Sequence, residues 1–335
     1  MSSVSRLSVS RLSVSRLSVL GTSALLLLAA CGAVPDEGAA GAAAAAEAPP
    51  GVLTINTSPE QGRIRAAKVE TIAAEVPAAI RAKGEFLIGT STFEPPLSFV
   101  ADDNVTPIGV EEDIASLVAD VLGLKLRIEA TSWENLFLAV RSGKYAAGFS
   151  NITVTEERKD IYDFATYRLD QLAWEVPKNS TITSIAKPAD VAGLGVAVGS
   201  GTNQEKILLG WDRQNRAAGL KPARIQYYKQ AADTYLALRS GRIQAYFAPN
   251  PTSAYHAAVS GDTKVVGTYS GAGPTLQGLI AAMTRKGDGL AKPIADAVNA
   301  LIKDGTYPKV LARWGLSNEA VPESLVNPPG LPREQ

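Results

Sequence analysis

Residues 131–168, TSWENLFLAVRSGKYAAGFSNITVTEERKDIYDFATYR, constrain the fold most, because one unbroken run carries a capped helix, a buried strand and a polar corner. Thr131 and Glu134 have capping-box spacing, and Leu136, Leu138, Ala139 and Val140 supply an apolar face. Gly143 stands where a helix ends in the left-handed conformation, so the spacing predicts a helix from about Ser132 to Ser142. Tyr145 to Phe149 is short, apolar and bounded by turn residues, as a strand covered on both faces would be. It runs into Ser150, Asn151, Thr153 and Thr155, which places polar groups at the carboxyl end of a buried strand, the edge where open α/β sheets bind ligands.

Thr155 is placed to cap a second helix, whose positive end suits Glu156 and Glu157 but not Arg158. A ligand carboxylate gripped by the planar guanidinium fork would explain the arginine. The plainer reading pairs it with Glu156, Glu157 or Asp160 on a solvated surface. The hydroxyl-rich corner just before it favours the ligand.

WENLFLAVRSGKY followed by NITVTEERKDIYDFATY resembles the signature of the family 3 extracytoplasmic solute-binding proteins, over roughly residues 85–316. The shared pattern is an aromatic, a helix closed by a Ser-Gly-Lys turn, a Thr-x-Thr-x-x-Arg corner and a Phe-Ala-x-Tyr close. The resemblance implies an α/β fold with two lobes of the periplasmic-binding-protein-like type II, parallel-rich sheets flanked by helices, and two hinge crossovers. It further implies a monomer that captures a small polar solute, an amino acid or a related amine or carboxylate, by hinge closure. The partner it implies is an ABC permease in the membrane.

Composition agrees. A chain of 335 residues with 46% hydrophobic content can fill two domains, and 33 basic residues balance 33 acidic ones, which argues against nucleic acid as a partner. Strand FLIG, helix VEEDIASLVADVLG and strand LKLRIEA alternate as a parallel sheet with right-handed crossovers requires. No His/Cys/Asp cluster has metal-ligand spacing, no cofactor is implied, and His256 reads as structural.

Cys31 is the single cysteine, so no intramolecular disulfide can form. Arg6, Arg11 and Arg16 lie in repeated SRLSV units before the apolar run ALLLLAA, which is too short to span a bilayer. Leu-Ala-Ala-Cys resembles a bacterial lipobox, which implies cleavage before Cys31, lipid on its sulfur and an extracytoplasmic chain anchored to the cell membrane. The other reading is a signal peptide with an incidental cysteine. The expected organisation is a signal peptide over 1–30, a flexible tether over 31–51 and an N-terminal extension over 52–84. That extension contains a strand VLTIN and a helix interrupted near Pro77. Lobe 1 follows over 85–172 and 274–320, lobe 2 over 173–273, and a Pro-rich surface tail over 321–335.

The resemblance brings the loop after the first strand into the ligand cleft, with Trp133 as its opposite wall. Glu94, preceded by Phe93, stands where a stacking aromatic is common, and Ser91 where relatives that bind cationic side chains often carry Asp. QLAWEV reads as a crossover strand. Gly199, Gly201, Thr202 and Asn203 put backbone N–H groups at a helix start, which serves an anion or merely a turn. In the family this turn helps bind the ligand carboxylate opposite Arg158.

ALRSGRIQAYFAPN repeats AVRSGKYAAGFSN, which supports two lobes of like construction with Asn151 and Asn250 at comparable strand ends. Near Asn250 the family usually carries an Asp for the ligand's amino group, whereas this chain has Pro249-Asn250-Pro251. A buried cation needs an anionic partner, and Glu94 is the expected substitute unless it faces solvent. The expected site therefore has Arg158 and Thr202 at an anionic end and Glu94, Trp133 and Asn250 at a cationic or polar end. Phe93, Asn151, Thr153, Gly201 and Asn203 complete its lining. No residue is assigned to catalysis. The alternatives are a dehydratase-type enzyme on the same scaffold, with Glu94 as general acid, and a sensor lipoprotein.

Overall fold

The computed structural model describes residues 53–333; the expected signal peptide, tether and lipidated Cys31 lie outside the described residues. Helices α1 (Glu70–Glu75) and α2 (Ala78–Lys83) form the extension, parted at Pro77 and closed by Gly84 in the left-handed region. The chain before them, from residue 53, is irregular rather than the expected strand. Strand β1 (Glu85–Thr90), the short pair β2 (Phe99–Val100) and β3 (Pro107–Ile108), α3 (Val110–Leu122), β4 (Lys125–Ala130), α4 (Trp133–Ser142) and β5 (Ala147–Gly148) follow. Next come β6 (Tyr162–Pro177), β7 (Gly195–Ala197), α5 (Asn203–Ala217), β8 (Arg224–Gln226), α6 (Ala231–Arg239) and β9 (Ala245–Pro249). The chain ends with α7 (Asn250–Ser260), β10 (Thr263–Ser270), β11 (Gly278–Arg285), α8 (Ala291–Lys303) and α9 (Thr306–Arg313).

β6 joins the two halves. Its first half, Tyr162 to Asp170, pairs antiparallel with β11, which continues to β5, β1 and β4, the last three mutually parallel. Its second half, Gln171 to Pro177, pairs antiparallel with β9 and β10, and β9 continues to the parallel β7 and β8. Separate cores follow from this division. Phe86, Ile114, Phe149, Val298 and Trp314 pack on one half, with Leu136, Val140, Phe164 and Met283 under α4. Trp174, Trp211, Val196 and Phe247 fill the other, where Trp174 and Phe247 stack at 4.0 Å. The result is a two-lobed α/β fold whose sheet is mixed, because β6 and the returning β11 run against their neighbours.

Three local expectations are corrected. Ser132, not Thr131, caps α4, its hydroxyl accepting from the Asn135 N–H at 3.3 Å. The expected strand over 145–149 is regular only at Ala147–Gly148. The helix expected after Thr155 is a single 3-10 turn, Arg158–Asp160, because the chain enters β6 at Tyr162 before a second turn can form. The tail also does more than cover the surface: Leu331 bridges to Thr155 and Val326 to Ala165, and the Asn327 amide clamps Phe164 and Asp163.

Arg168 on β6 is buried among carboxylates. Its guanidinium donates to Glu111 at 2.8 Å and to Glu319 and Asn151. Glu111, Glu112 and Asp113 fill the first turn of α3, where the positive end of the helix favours them.

Candidate functional site

Arg158 is the centre of the polar corner. Its N–H donates to Thr155 Oγ1 at 3.0 Å, so Thr155 fastens a single turn where the sequence predicts a capped helix. Its side chain is half-buried, with the guanidinium carbon 5.0 Å from the Phe137 ring centroid and 5.4 Å from that of Trp133. Nη1 donates to the Thr153 carbonyl at 2.9 Å and Nη2 to the Gly201 carbonyl, in the other lobe, at 3.1 Å. Trp133 Nε1 lies 3.4 Å from the same Gly201 oxygen. Desolvation pulls the Arg158 pKa down to about 10, against the opposing charge of Asp170, so the group stays cationic at neutral pH. The plainer pairing is not what the side chains adopt: Glu156 is bridged by Lys159, Glu157 by Lys206 across the lobes, and Asp160 by Arg333.

Asp170, on β6 where the lobes meet, ties both sides together. Its Oδ2 accepts from Thr153 Oγ1 at 2.6 Å and from Asn203 Nδ2 at 3.1 Å, and Asn203 also donates to the Gly271 carbonyl at 3.0 Å. The expected amide nest is partly used internally. The Gly201 N–H donates to Glu205 Oε2 at 2.7 Å, and Thr202 Oγ1 caps α5 by accepting from the Glu205 N–H at 3.2 Å. What Gly201 presents to Arg158 is thus its carbonyl.

Of the expected residues, Trp133, Thr153, Arg158, Gly201, Thr202 and Asn203 converge here. Asn151 instead turns its amide to Arg168, and Asn250 lines a separate interlobe pocket of about 220 Å³ with Pro96, Tyr255 and Trp314. Phe93 is 46% exposed. Glu94 is buried, its carboxyl beside Tyr235 and Glu175 of the other lobe, and burial followed by the Glu175 charge pushes its pKa up to about 8. Asp170, Glu175 and Phe137 were not singled out from the sequence. The available signal was two acids, Asp170 and Glu175, among the large apolar residues of YRLDQLAWEV, which a buried strand tolerates only with partners. Among the described residues no group of His, Cys, Asp and Glu is arranged to hold a metal ion, and no helix is long and apolar enough to cross a membrane.

Residues 86–317 match the model of the bacterial extracellular solute-binding proteins, family 3. The chain belongs to this family. The arginine-binding protein ArgT of Corynebacterium glutamicum is 31% identical over 261 residues, covering 77% of this chain and 83% of that protein. The L-cystine-binding protein TcyJ of Escherichia coli K12 is 28% identical over 236 residues, covering 70% and 84%. Among solved structures, an ancestral amino acid-binding protein described as a precursor of cyclohexadienyl dehydratase superposes with a TM-score of 0.60 at 27% identity, covering 70% of this chain and 97% of that one. This family 3 chain is accordingly a solute-binding protein of the bacterial extracellular type.

Proposed function

We propose that this family 3 protein captures an amino acid or a closely related zwitterion between its lobes and presents the closed form to an ABC permease. The observation that carries the reading is the Arg158 fork, which reaches from one lobe to Gly201 of the other while Glu156, Glu157 and Asp160 are each engaged by another cation. A carboxylate entering between the lobes would take both guanidinium nitrogens in place of the two carbonyls, a charge-assisted exchange in its favour. Bridging both lobes, such a ligand stabilises closure by its differential affinity. Trp133, Thr153, Thr202 and Asn203 border that end of the site; Phe93 and Glu94 border the remainder, and Asn151 supports it through Arg168. The protein acts as a monomer held at the cell membrane by lipid on Cys31, without catalysis.

A thermal-shift screen with the protein amino acids and L-cystine tests this. A ligand at 100 times its dissociation constant stabilises by about 2.7 kcal/mol, and Arg158→Ala should remove the shift for every carboxylated hit. A shift retained in Arg158→Ala would end the proposed role. One observation favours a second reading: a Glu94 carboxyl that holds its proton near neutral pH is what a general acid requires. Product appearing from a bound carboxylated substrate would establish turnover, and recovery of the ligand unchanged would establish binding alone.

A further inference from the structure

The matched family region ends at residue 317, and the described chain continues beyond it to Arg333. This last run is fastened along lobe 1. Ser324 Oγ donates to the Thr166 carbonyl at 2.5 Å, the Leu325 N–H donates to Thr166 Oγ1 at 2.8 Å, and Val326 bridges antiparallel to Ala165. Further on, the Leu331 N–H donates to the Val154 carbonyl and its carbonyl accepts from the Glu156 N–H, both at 3.0 Å. Gly330 permits that approach, because a Cβ there would lie 2.3 Å from the Val154 carbonyl oxygen. Arg333 closes the run on the Glu156 carbonyl at 3.2 Å and on Asp160 at 2.6 Å.

The Leu331 side chain goes the other way. It is 8% exposed and belongs to the apolar cluster of lobe 2 that contains Leu172, Trp174 and Ala272. A Cβ on Gly273 would stand 3.7 Å from Leu331 Cδ1, so the tip of the leucine lies over the loop that joins β10 to β11. One residue thus has its backbone held by lobe 1 and its side chain held by lobe 2. The chain crosses between the lobes twice, once where β6 passes from its pairing with β11 to its pairing with β10, at Asp170 and Gln171, and again in the 271–277 loop. Lobes of this kind turn about such crossovers. Leu331 sits against the second crossover, beside the 154–156 segment that leads to Arg158.

We propose that the C-terminal run is a third tie between the lobes and that Leu331 is the positioning residue that holds it shut. Parting the lobes either draws the leucine out of the lobe 2 cluster or lifts its backbone from Val154 and Glu156. The first route exposes apolar carbon, and each buried methylene counts for about fourfold in an equilibrium. The second leaves backbone groups next to Arg158 without partners. The open-to-closed ratio of the chain therefore depends on the side chain at position 331. A tail that only stabilised lobe 1 would change the melting temperature and leave that ratio alone.

The ratio is read from the distance between nitroxides on Glu134→Cys of α4 and Asp233→Cys of α6, two exposed positions on different lobes. Cys31→Ser in the full chain removes the single native cysteine, and no solute is added, so the outcome is independent of which solute binds. With Leu331 in place the distribution should be mainly that of the closed structure. Leu331→Ala should raise the open-to-closed ratio at least about tenfold, and Leu331→Met, which fills the same seat, should return it to within about twofold of the starting value. A chain ending at residue 329 loses the backbone ties as well and should open further than Leu331→Ala. Melting temperatures establish that each variant is folded when measured. A distribution unmoved in both Leu331→Ala and the shortened chain overturns the tie, as does a chain with Leu331 intact that is already mainly open. Either result leaves amino acid binding at Arg158 standing, since the solute screen tests that separately.

Discussion

Asp170 is where polar groups of the two lobes meet on one atom. Its Oδ2 accepts from Thr153 on one side and Asn203 on the other, and burial raises its pKa while Arg168 and Arg158 oppose the rise. The carboxylate fits because Gly271 has no side chain; a Cβ there would collide with it. Asp170→Ala leaves the Thr153 hydroxyl and the Asn203 amide without their shared acceptor, each costing about 1–3 kcal/mol when buried. Asp170→Asn keeps an acceptor oxygen and relieves the cost of a buried charge. Urea unfolding should therefore show a loss of about 2–4 kcal/mol for the alanine variant and less than half of that for the asparagine. Equal losses in both would mean that the charge, not the shared acceptor, matters. At this scale the sequence was legible where chemistry stood in a polar corner, as at Thr153 and Arg158. It was opaque at Asp170, whose partners lie 17 and 33 positions away, and at Glu175, whose partners lie 60 to 88 positions away.

Among the elements, α4 is the one its own sequence defines best. Ser132 caps it, Leu136 and Val140 bury its inner face, and Gly143 ends it at φ +79°. A Cβ at Gly143 would meet nothing nearer than Arg285 Nη1 at 3.7 Å, so the cost of Gly143→Ala is backbone strain alone. That cost is about 1 kcal/mol, which lowers the melting temperature of a domain this large by about 2–4 °C. A drop well beyond that range would mean that the glycine serves packing as well. The turn at Arg158 shows the reverse case. Thr155, Glu156 and Glu157 form a sound helix start, but pairing of Tyr162 with Arg285 on β11 draws the chain into β6. Long-range pairing overrides the local signal, and Arg158 is left on a short turn free of any helix dipole to oppose it.

Across the whole molecule, the C-terminal tail and the polar corner depend on one another. The Leu331 N–H donates to the Val154 carbonyl at 3.0 Å, its carbonyl accepts from the Glu156 N–H at 3.0 Å, and the Gly330 N–H donates to Glu156 Oε1 at 2.9 Å. Lys159 Nζ reaches the Pro328 carbonyl at 3.0 Å. A chain ending at residue 320 should therefore unfold several degrees lower by circular dichroism, since the freed backbone groups next to Arg158 lose their partners. Its ligand affinity should fall as the corner loosens. A truncated chain with unchanged melting temperature and affinity would assign the tail no part in holding the corner.

The sequence by itself determined most of the elements, the alternation that builds each lobe and the arginine corner, because helix caps, glycine stops and apolar periodicity act over a few residues; it failed at the helix expected after Thr155 and at the strand expected before α1. It also carried the family, through the run from Trp133 to Tyr167. Only the tertiary structure decided that Glu94 meets Glu175, that Gly201 offers Arg158 a carbonyl while its amide serves Glu205, and that Asn151 serves Arg168. The reason is that burial and charge are set by what lies across the interface. A carboxylate reads the same in a sequence whether water or a second carboxylate awaits it.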